Sequence, residues 1–483
     1  MIKSTFAIAT VAFAFAALAS DGKVDFSKVD GKIRPELHSA GFCPSLTIGH
    51  KKQAARKGGD VGLMNIHSVR THDWALLNGG QRVCDTHFIF PLMKLDPKDP
   101  TNYYFKPTDE LLKRAIDEGH EVFYRLGTSI EHTGDVFFNA AVPEDYDKYA
   151  EVCAGIVRHY TKGWADGFKW NIKYWEIWNE PDGIDNMWRV AGEKGLDRVY
   201  MRDLYIKFFI TVFKRLKSEF PEIKVGGPAL CNLSSNARDF LDALLAACKK
   251  EGVKPDFVSW HGYERDPNRL VEWGWNGKWF VQDKYGMKDV ELIINEWHYL
   301  PYKSAWEDYN GHPSRRALLW EGTSRQNGID SAAFTLATLC RFQKSAYDQA
   351  FYYGCGNQGN WGYMNQDGSY NKCFYALVAF GNMVKSCADF VAVEPESPSL
   401  TLFGGKAKDG NGEHLIVVDY LGKGPLVEIE IAGVAAGHRP SVRLVDERGD
   451  AVNAEFEWKS GKLTLFKRDL NSAFWYVDFE PTR

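Results

Sequence analysis

The chain has 483 residues, a hydrophobic content of 45% and a formal net charge of −4 at pH 7. This length exceeds what one compact core accommodates and predicts one large domain with a smaller one. Without a basic bias, nucleic acid is excluded as an expected partner. The aromatic content of 14%, with 16 Trp, suits carbohydrate binding as well as ordinary core packing.

The N-terminus has the pattern of a secretory signal peptide. Lys3 supplies the positive charge, residues 6–18 form an apolar run, and Ala17-Leu18-Ala19 fits a cleavage site. The run is too short for a bilayer span, and no other stretch approaches spanning length. We therefore predict that residues 1–19 are removed from a secreted or periplasmic protein with no membrane span.

Residues 37–385 alternate short apolar runs with helical stretches of 3.6-residue periodicity. Eight such strands, each followed by a crossover, predict an α/β fold of the (β/α)8 TIM-barrel type. A doubly wound open sheet is the alternative, but no Gly-rich phosphate loop follows the first strand. The predicted strands are 37–41, 64–70, 121–127, 173–178, 223–228, 257–262, 291–296 and 349–354.

The sequence pattern changes after Lys385. Residues 386–483 alternate β-type segments with turn signals such as Lys408-Asp-Gly-Asn-Gly. This pattern predicts a C-terminal antiparallel β-sandwich module, packed against the barrel because no low-complexity linker separates the two. Residues 20–36 are a candidate for an additional strand of that module.

Polar residues follow the second predicted strand. Arg70 ends that strand, where its guanidinium is placed to hold a carboxylate charged; a structural pair with Asp73 is the alternative. His72 and, further on, Asp85 are candidates for a sugar subsite, although loop packing explains them equally well.

The stretch Trp175-Glu-Ile-Trp-Asn-Glu-Pro181 predicts a strand that ends just before Glu180. The C-terminal ends of barrel strands form the catalytic mouth. We interpret Trp175 and Trp178 as an apolar wall that raises the Glu180 pKa, which suits a proton donor. Asn179 is a candidate donor to a sugar hydroxyl. A surface glutamate and a turn-forming asparagine are the plainer interpretations.

A second strand runs into an acid at Glu296, followed by Trp297. Glu180 and Glu296 fall on predicted strands four and seven, and two carboxyls facing each other across a barrel mouth are what glycoside hydrolysis requires. Tyr263, on strand six, is a candidate donor to Glu296. His261 lies on the same strand and is a candidate substrate ligand or a buried core histidine.

Further candidates carry weaker signals. Trp297 and Trp361 are predicted stacking platforms for sugar rings, with core or rim packing as the alternative. The histidines lack a metal-binding spacing, so neither a metal nor another cofactor is predicted. The nine cysteines are scattered, which favours buried free thiols, while one or two disulfides remain an alternative.

The chain resembles glycoside hydrolase family 39, a clan A family of retaining α/β-barrel enzymes. The resemblance rests on Leu37–Gly41, Val69–His72, Trp175–Asp182, Gly226–Pro228, Ser259–Tyr263 and Asn295–Trp297. It implies a double displacement with Glu180 as acid/base and Glu296 as nucleophile, without a cofactor, and a β-xylosidase-like or α-L-iduronidase-like specificity. The chain departs from the family pattern at Thr71, Asp73, Trp260, Asn295 and residues 354–362, which puts the substrate in doubt more than the mechanism.

The sequence therefore predicts a secreted, exo-acting, β-xylosidase-like hydrolase of plant or algal oligosaccharides. Two alternatives remain open: an endo-acting or uronic- or sulfated-glycan hydrolase of the same clan, and an inactive barrel that binds carbohydrate. The expected partner is an oligosaccharide or polysaccharide, and the oligomeric state is left open.

Overall fold

A computed structural model describes residues 20–41, 60–72, 74, 82–129, 141–183, 188, 195–301, 325–354, 362–365 and 369–482. The predicted signal peptide, 1–19, and the predicted stacking residue Trp361 lie outside the described residues. None of the helices within those ranges combines the length and the apolar character needed to cross a membrane.

Eight parallel strands close into a barrel in chain order, which confirms the predicted TIM barrel. They are β2 (Ser39–Ala40), β3 (Ser68–Arg70), β4 (Glu121–Leu126), β5 (Tyr174–Ile177), β6 (Lys224–Leu230), β7 (Phe257–Glu264), β8 (Glu291–Tyr299) and β9 (Gln349–Tyr352). All eight coincide with predicted strands. β6, β7 and β8 extend beyond their predicted ends, and β7 and β8 remain paired as far as Glu264 and Tyr299 at the mouth.

Helices surround this barrel. They are α1 (Asp60–Leu63), α2 (Thr86–Ile89), α3 (Lys106–Asp117), α4 (Tyr146–Lys162), α5 (Arg198–Glu219), α6 (Ser235–Lys250), α7 (Pro267–Lys278), α8 (Ile329–Phe342) and α9 (Lys372–Ser386). Short 3₁₀ turns span Pro35–Leu37 and Pro100–Asn102, and a π-helical segment, Trp279–Lys284, follows α7. The α4 helix shows why such segments stop where they do: Asp145 caps its first turn, and Gly163 ends it in a left-handed conformation.

The remaining strands form a second, β-rich unit. They are β1 (Gly22–Lys32), β10 (Cys387–Pro395), β11 (Leu400–Ala407), β12 (Glu413–Asp419), β13 (Leu426–Ala432), β14 (His438–Asp446), β15 (Gly449–Asn453), β16 (Phe456–Lys459), β17 (Lys462–Phe466) and β18 (Ala473–Pro481). Hydrogen bonding runs through all of them in one ten-stranded sheet, in which β1 lies between β10 and β13. Buried residues from strands far apart in this order, such as Val24, Leu415, Val442 and Leu463, share one core, so the sheet curls around that core.

Polar contacts tie the β-rich unit to the barrel. Ser472 donates to Asp330 on α8 at 2.6 Å, and the Arg341 side chain reaches Thr401 on β11 at 2.8 Å. Tyr420 donates to the carbonyl of Arg265, in the loop after β7, at 2.6 Å. These contacts join the two units.

The described cysteines are free thiols. Cys84, Cys153, Cys248, Cys340, Cys373 and Cys387 are buried, and Cys231 is half-buried. Cys43 and Cys355 lie outside the described residues.

Candidate active site

The barrel interior changes from apolar to charged along its axis. Four buried apolar side chains form a cluster inside the barrel: Phe123, Phe257, Ile293 and Phe351. Side chains two residues further along a strand point to the same face. On β7 this step leads from Phe257 to Ser259, His261 and Tyr263, and on β8 it leads from Ile293 to Asn295. The strands themselves therefore carry the polar groups toward the C-terminal mouth.

Glu296 lies at that mouth within a set of hydrogen-bond donors. Its Oε1 is 2.7 Å from the Nη1 atom of Arg70, and its Oε2 accepts a hydrogen bond from the Tyr263 hydroxyl at 2.7 Å. The Nε2 atom of His72 lies 3.5 Å from Oε1. The contacts of Arg70 and Tyr263 are the ones predicted, a guanidinium on a carboxylate and a phenol donating to Glu296, whereas His72 was predicted only as a sugar-subsite residue.

Two opposing effects act on the pKa of Glu296. Burial raises the pKa, and the nearby negative charge of Glu180 raises it further. His261, Arg70 and the Tyr263 hydroxyl act in the opposite direction, and the net shift is upward. The protein therefore desolvates this carboxylate and compensates only part of the cost with Arg70 and its neighbours.

Glu180 lies opposite Glu296, immediately after β5. Its backbone has φ of 47°, in the left-handed region that costs a non-glycine residue about 1–2 kcal/mol. Its amide donates to the carbonyl of Ala229, at the end of β6, at 2.8 Å, and Ala229 is itself left-handed with φ of 55°. This tie across adjacent strands holds the strained residue in place.

His261 connects the two carboxyls. Its Nδ1 atom lies 2.6 Å from Glu180 Oε1 and 3.3 Å from Glu296 Oε2. One ligand atom from each of the three side chains lies within 4.8 Å of the others. The carboxyl oxygens are therefore close enough to act on a single glycosidic bond.

The same three side chains form the group of possible metal ligands that we find among the described residues. The Arg70 guanidinium, 2.7 Å from Glu296, opposes a second cation at this position. The arrangement thus suits a substrate oxygen or carbon between the carboxyls better than a metal ion.

Glu176 is a buried carboxylate that sequence reasoning missed. It is fully buried and accepts hydrogen bonds from Arg70 at 2.8 Å, Ser259 at 2.7 Å and Asn295 at 2.6 Å. Glu176 thereby holds Arg70 in the orientation that reaches Glu296. The available signal was an acid in the middle of an otherwise apolar strand, two residues after inward-facing Tyr174.

Asn179 joins this network through Arg70. Its Oδ1 accepts from the Nη2 atom of Arg70 at 2.7 Å, and the side chain is almost fully buried. With the oxygen fixed in this way, the amide nitrogen is the atom that the residue offers to a ligand. Its predicted contact with a sugar hydroxyl is compatible with this placement.

The tryptophans near the two acids lie elsewhere than predicted. Trp297 is fully buried against Phe342 of α8. Trp178 is fully buried against Phe208 of α5 and against Trp188, which precedes that helix. Trp175 stacks on Tyr124, and Trp260 packs against Tyr347. The predicted stacking role of Trp297 and the predicted apolar wall over Glu180 are therefore wrong. These indoles occupy the layer between strands and helices, on the side of each strand opposite the inward-facing residues.

Asp85 also differs from its predicted role. It is fully buried, and its carboxylate contacts Arg125 at 2.5 Å and accepts from the amide and hydroxyl of Ser129 at 2.8 and 2.9 Å. The predicted sugar contact is wrong for this placement, because the carboxylate is enclosed and already binds donors of the protein. Asp85 instead joins the loop after β3 to the loop after β4.

The glycosyl hydrolases family 39 model matches residues 22–314, which include the barrel strands as far as β8 and every residue of the site described above. The chain belongs to family 39. The finding agrees with the resemblance that the strand-end motifs indicated.

Two curated relatives carry the name β-xylosidase. The chain is 30% identical over 155 residues to that of Geobacillus stearothermophilus, a match to 32% of this chain and 25% of the relative. It is 28% identical over 257 residues to that of Caldicellulosiruptor saccharolyticus, a match to 50% of this chain and 46% of the relative. The chain thus matches less than half the length of each.

The fold of this family 39 member is shared with solved structures. A crystal structure of a glucosidase from Croceicoccus marinus superimposes with a TM-score of 0.71 at 20% sequence identity, and the alignment covers 96% of this chain and 100% of that one. The combination of barrel and β-rich unit therefore recurs as a whole in an experimentally determined structure.

Proposed function

We propose that this protein is a secreted retaining glycoside hydrolase that removes β-linked xylose units from the ends of oligosaccharides. The observation that carries the proposal is the pair Glu180 and Glu296, whose facing oxygens lie within 4.8 Å of each other. Retaining enzymes hold their two carboxyl groups about 5–5.5 Å apart, whereas inverting enzymes need about 6.5–9.5 Å to admit a water molecule. A separation below the inverting range favours retention.

The surroundings of the two acids assign their roles. Glu296 contacts a guanidinium and a phenol, which stabilise its ionised form, so we assign it as the nucleophile that attacks the anomeric carbon. Glu180 lies 2.6 Å from the His261 ring and is the more exposed of the two acids, with 14% of its side-chain surface accessible against 7% for Glu296. We assign it as the acid that protonates the leaving oxygen.

The reaction then follows in two steps. Glu296 forms an ester bond to the sugar while Glu180 gives its proton to the departing oxygen. Glu180, now a carboxylate, takes a proton from water, and the resulting hydroxide displaces Glu296 from the anomeric carbon. Asn179, held by Arg70, is placed to donate a hydrogen bond to a sugar hydroxyl during both steps.

The choice of β-xylosides is supported by the two curated relatives, both named β-xylosidases. Release from chain ends is part of the proposal, and the signal-like residues 1–19 support export. The β-rich unit, predicted as a sandwich, would serve as an accessory module fixed to the barrel.

A panel of aryl glycosides tests the proposal, with proton NMR of the first sugar formed. We expect hydrolysis of an aryl β-xyloside, with β-xylose as the first product. Initial release of α-xylose would overturn the retaining mechanism. If a folded protein turned over no aryl glycoside, an inactive carbohydrate-binding barrel would be favoured instead. If a xylo-oligosaccharide were cleaved first into shorter oligosaccharides rather than into free xylose, endo action would be favoured.

A further inference from the structure

The carboxyl group of Asp182 interacts electrostatically with that of Glu180. Asp182 follows Glu180 by two residues in the turn Glu180-Pro-Asp-Gly183, which is closed by a hydrogen bond from the Gly183 amide to the Glu180 carbonyl at 2.9 Å. Asp182 Oδ1 accepts from the Cys231 amide, beyond the end of β6, at 3.0 Å. The turn that carries Glu180 is therefore tied to the neighbouring strand at two places, through Ala229 and through Cys231.

Asp182 and Glu180 interact through their charges. Desolvation, and then the negative charge of Glu180, raise the pKa of Asp182 to about 7, against the hydrogen bond from the Cys231 amide. Desolvation, the charges of Glu180 and Asp182, and hydrogen bonding to both carboxyls raise the pKa of the Cys231 thiol well above its usual range. The thiol consequently stays protonated beside both acids.

On its other side Asp182 faces a cavity of about 340 Å³ between the first turns of α5 and α6. Among the described residues, the titratable and charged groups around Asp182 are Glu180 from its own loop, Cys231 from the β6 loop, Arg198, Arg202 and Tyr205 from α5, and Asp239 from α6. Arg202 is paired with Asp203 at 2.8 Å, and Arg198 is exposed, so solvent and this partner reduce the effect of both cations on Asp182.

We propose that Asp182 is a positioning residue for Glu180: it anchors the turn that carries the acid and, once ionised, holds the proton on the Glu180 carboxyl. The inference rests on the proposed role of Glu180 as general acid. At pH 5, well below its raised pKa, Asp182 is neutral and only anchors the turn. As the pH rises, a charge on either carboxyl makes ionisation of the other less favourable, so the pair keeps its last proton, and the enzyme its activity, further into the alkaline range.

The decisive variant is Asp182→Asn, which keeps an oxygen acceptor for the Cys231 amide but removes the charge. We would measure kcat/KM from pH 5 to pH 9 with phenyl β-xyloside, whose leaving group needs protonation. Because one pKa unit corresponds to a factor of ten, we expect equal activity near pH 5 and a loss of about three- to tenfold relative to wild type at pH 8. With 2,4-dinitrophenyl β-xyloside, whose leaving group needs no proton, the two enzymes should agree at every pH.

Two further variants distinguish the effect of the Asp182 charge from the effect of its hydrogen bond to the Cys231 amide. Asp239→Asn removes an exposed carboxylate from the same cavity and should leave the pH profile unchanged. Asp182→Ala removes both charge and acceptor, so it should also lower the melting temperature at pH 5, where Asp182→Asn should melt like wild type.

A constant ratio of Asp182→Asn to wild type from pH 5 to pH 9 would overturn the proposal. If that variant does not fold, the pH dependence of wild-type kcat/KM decides. An alkaline decline that fits a single ionisation contradicts coupling of the two carboxyls. An alkaline decline that requires two ionisations supports it. Failure of the proposed function is distinguishable, since it would appear as absent wild-type turnover, or as an unchanged rate of Glu180→Gln on phenyl β-xyloside.

Discussion

The same strands form both ends of the barrel interior, but one end is apolar and the other is polar and charged. Toward the beginning of the strands the interior is filled by the apolar cluster around Phe123 and Phe257. Two to four residues further along, the same faces carry Glu176, Ser259 and His261, all almost fully buried. The apolar end contributes burial energy, whereas the mouth buries charges that need partners to be tolerated.

This contrast explains the dense network at the mouth. Arg70 contacts Glu176, Asn179 and Glu296, because a buried cation without such partners would be strongly destabilising. The mouth is therefore organised around one guanidinium that offsets two carboxylates. Substitutions at the apolar end should affect stability, and substitutions at the mouth should affect chemistry.

The largest effect on activity is expected for Glu296→Gln. The amide cannot form the ester intermediate, so kcat should fall by about ten-thousandfold or more. The melting temperature should change little, because the amide oxygen still accepts from Arg70 and the amide NH2 group donates to the Tyr263 hydroxyl, which can act as an acceptor. Steady-state kinetics with a thermal melt of the same sample test both statements, and retention of even a tenth of the wild-type rate would refute the assigned nucleophile.

The opposite result is expected for Phe257→Ala at the apolar end. Phe257 is fully buried, and removing such a ring costs about 3–5 kcal/mol of unfolding free energy. Activity per folded molecule should stay within a few-fold of wild type when measured well below the melting temperature. Denaturant unfolding gives the stability. A large drop in activity without loss of stability would contradict the division between the two ends.

The sequence predicted the strands and the two facing acids because both depend on local patterns. Apolar runs locate β5 and β8, and the C-terminal ends of parallel strands meet at one edge, so Glu180 and Glu296 had to converge. Side-chain direction was harder to predict. Left-handed residues at Trp178 and Glu180, and an irregular β7–β8 pairing between Trp260 and His261, shift the alternation, so the tryptophans were assigned to the wrong face.

Most partners distant in sequence could not be predicted, and the Tyr263 donor to Glu296 is an exception. Glu176 has its donors on β3, β7 and β8, and Asp182 has its donor on the β6 loop, so neither contact leaves a spacing signature. The eight predicted strands fixed which loops are neighbours. They did not fix which side chains meet, because register and stagger around the barrel decide that.

Arg70 contributes to both stability and catalysis, so it does not follow the division between the apolar end and the mouth. In Arg70→Met the Glu296 pKa should rise by about one unit or more, since an adjacent cation lowers a carboxyl pKa by about 1–3 units. Because Glu296 must be ionised to attack, the acidic limb of kcat/KM should move to higher pH by the same amount. Even in wild type this limb should lie above the usual range of a glutamate, since the net pKa shift is upward.

Arg70→Lys is the matched control for that experiment. Lysine keeps the charge but lacks the planar fork that reaches three acceptors. Both variants should lose stability, whereas only the methionine variant should show the full displacement of the acidic limb. If the acidic limb of kcat/KM lay at the same pH in Arg70→Met and Arg70→Lys, Arg70 would act through geometry rather than charge.

The smallest effects are expected for two Tyr→Phe changes that remove one hydroxyl each. Tyr263 donates to Glu296 at 2.7 Å, and Tyr347 donates to the Leu270 carbonyl in the helical layer at 2.8 Å. Tyr263→Phe should lower kcat/KM by about tenfold, equivalent to about 1.4 kcal/mol of lost hydrogen bonding to a charged group. Tyr347→Phe should cost about 1 kcal/mol of unfolding free energy and leave kcat/KM unchanged. If both variants lost stability and neither lost activity, the Tyr263 hydroxyl would belong to the packing of the barrel rather than to the nucleophile.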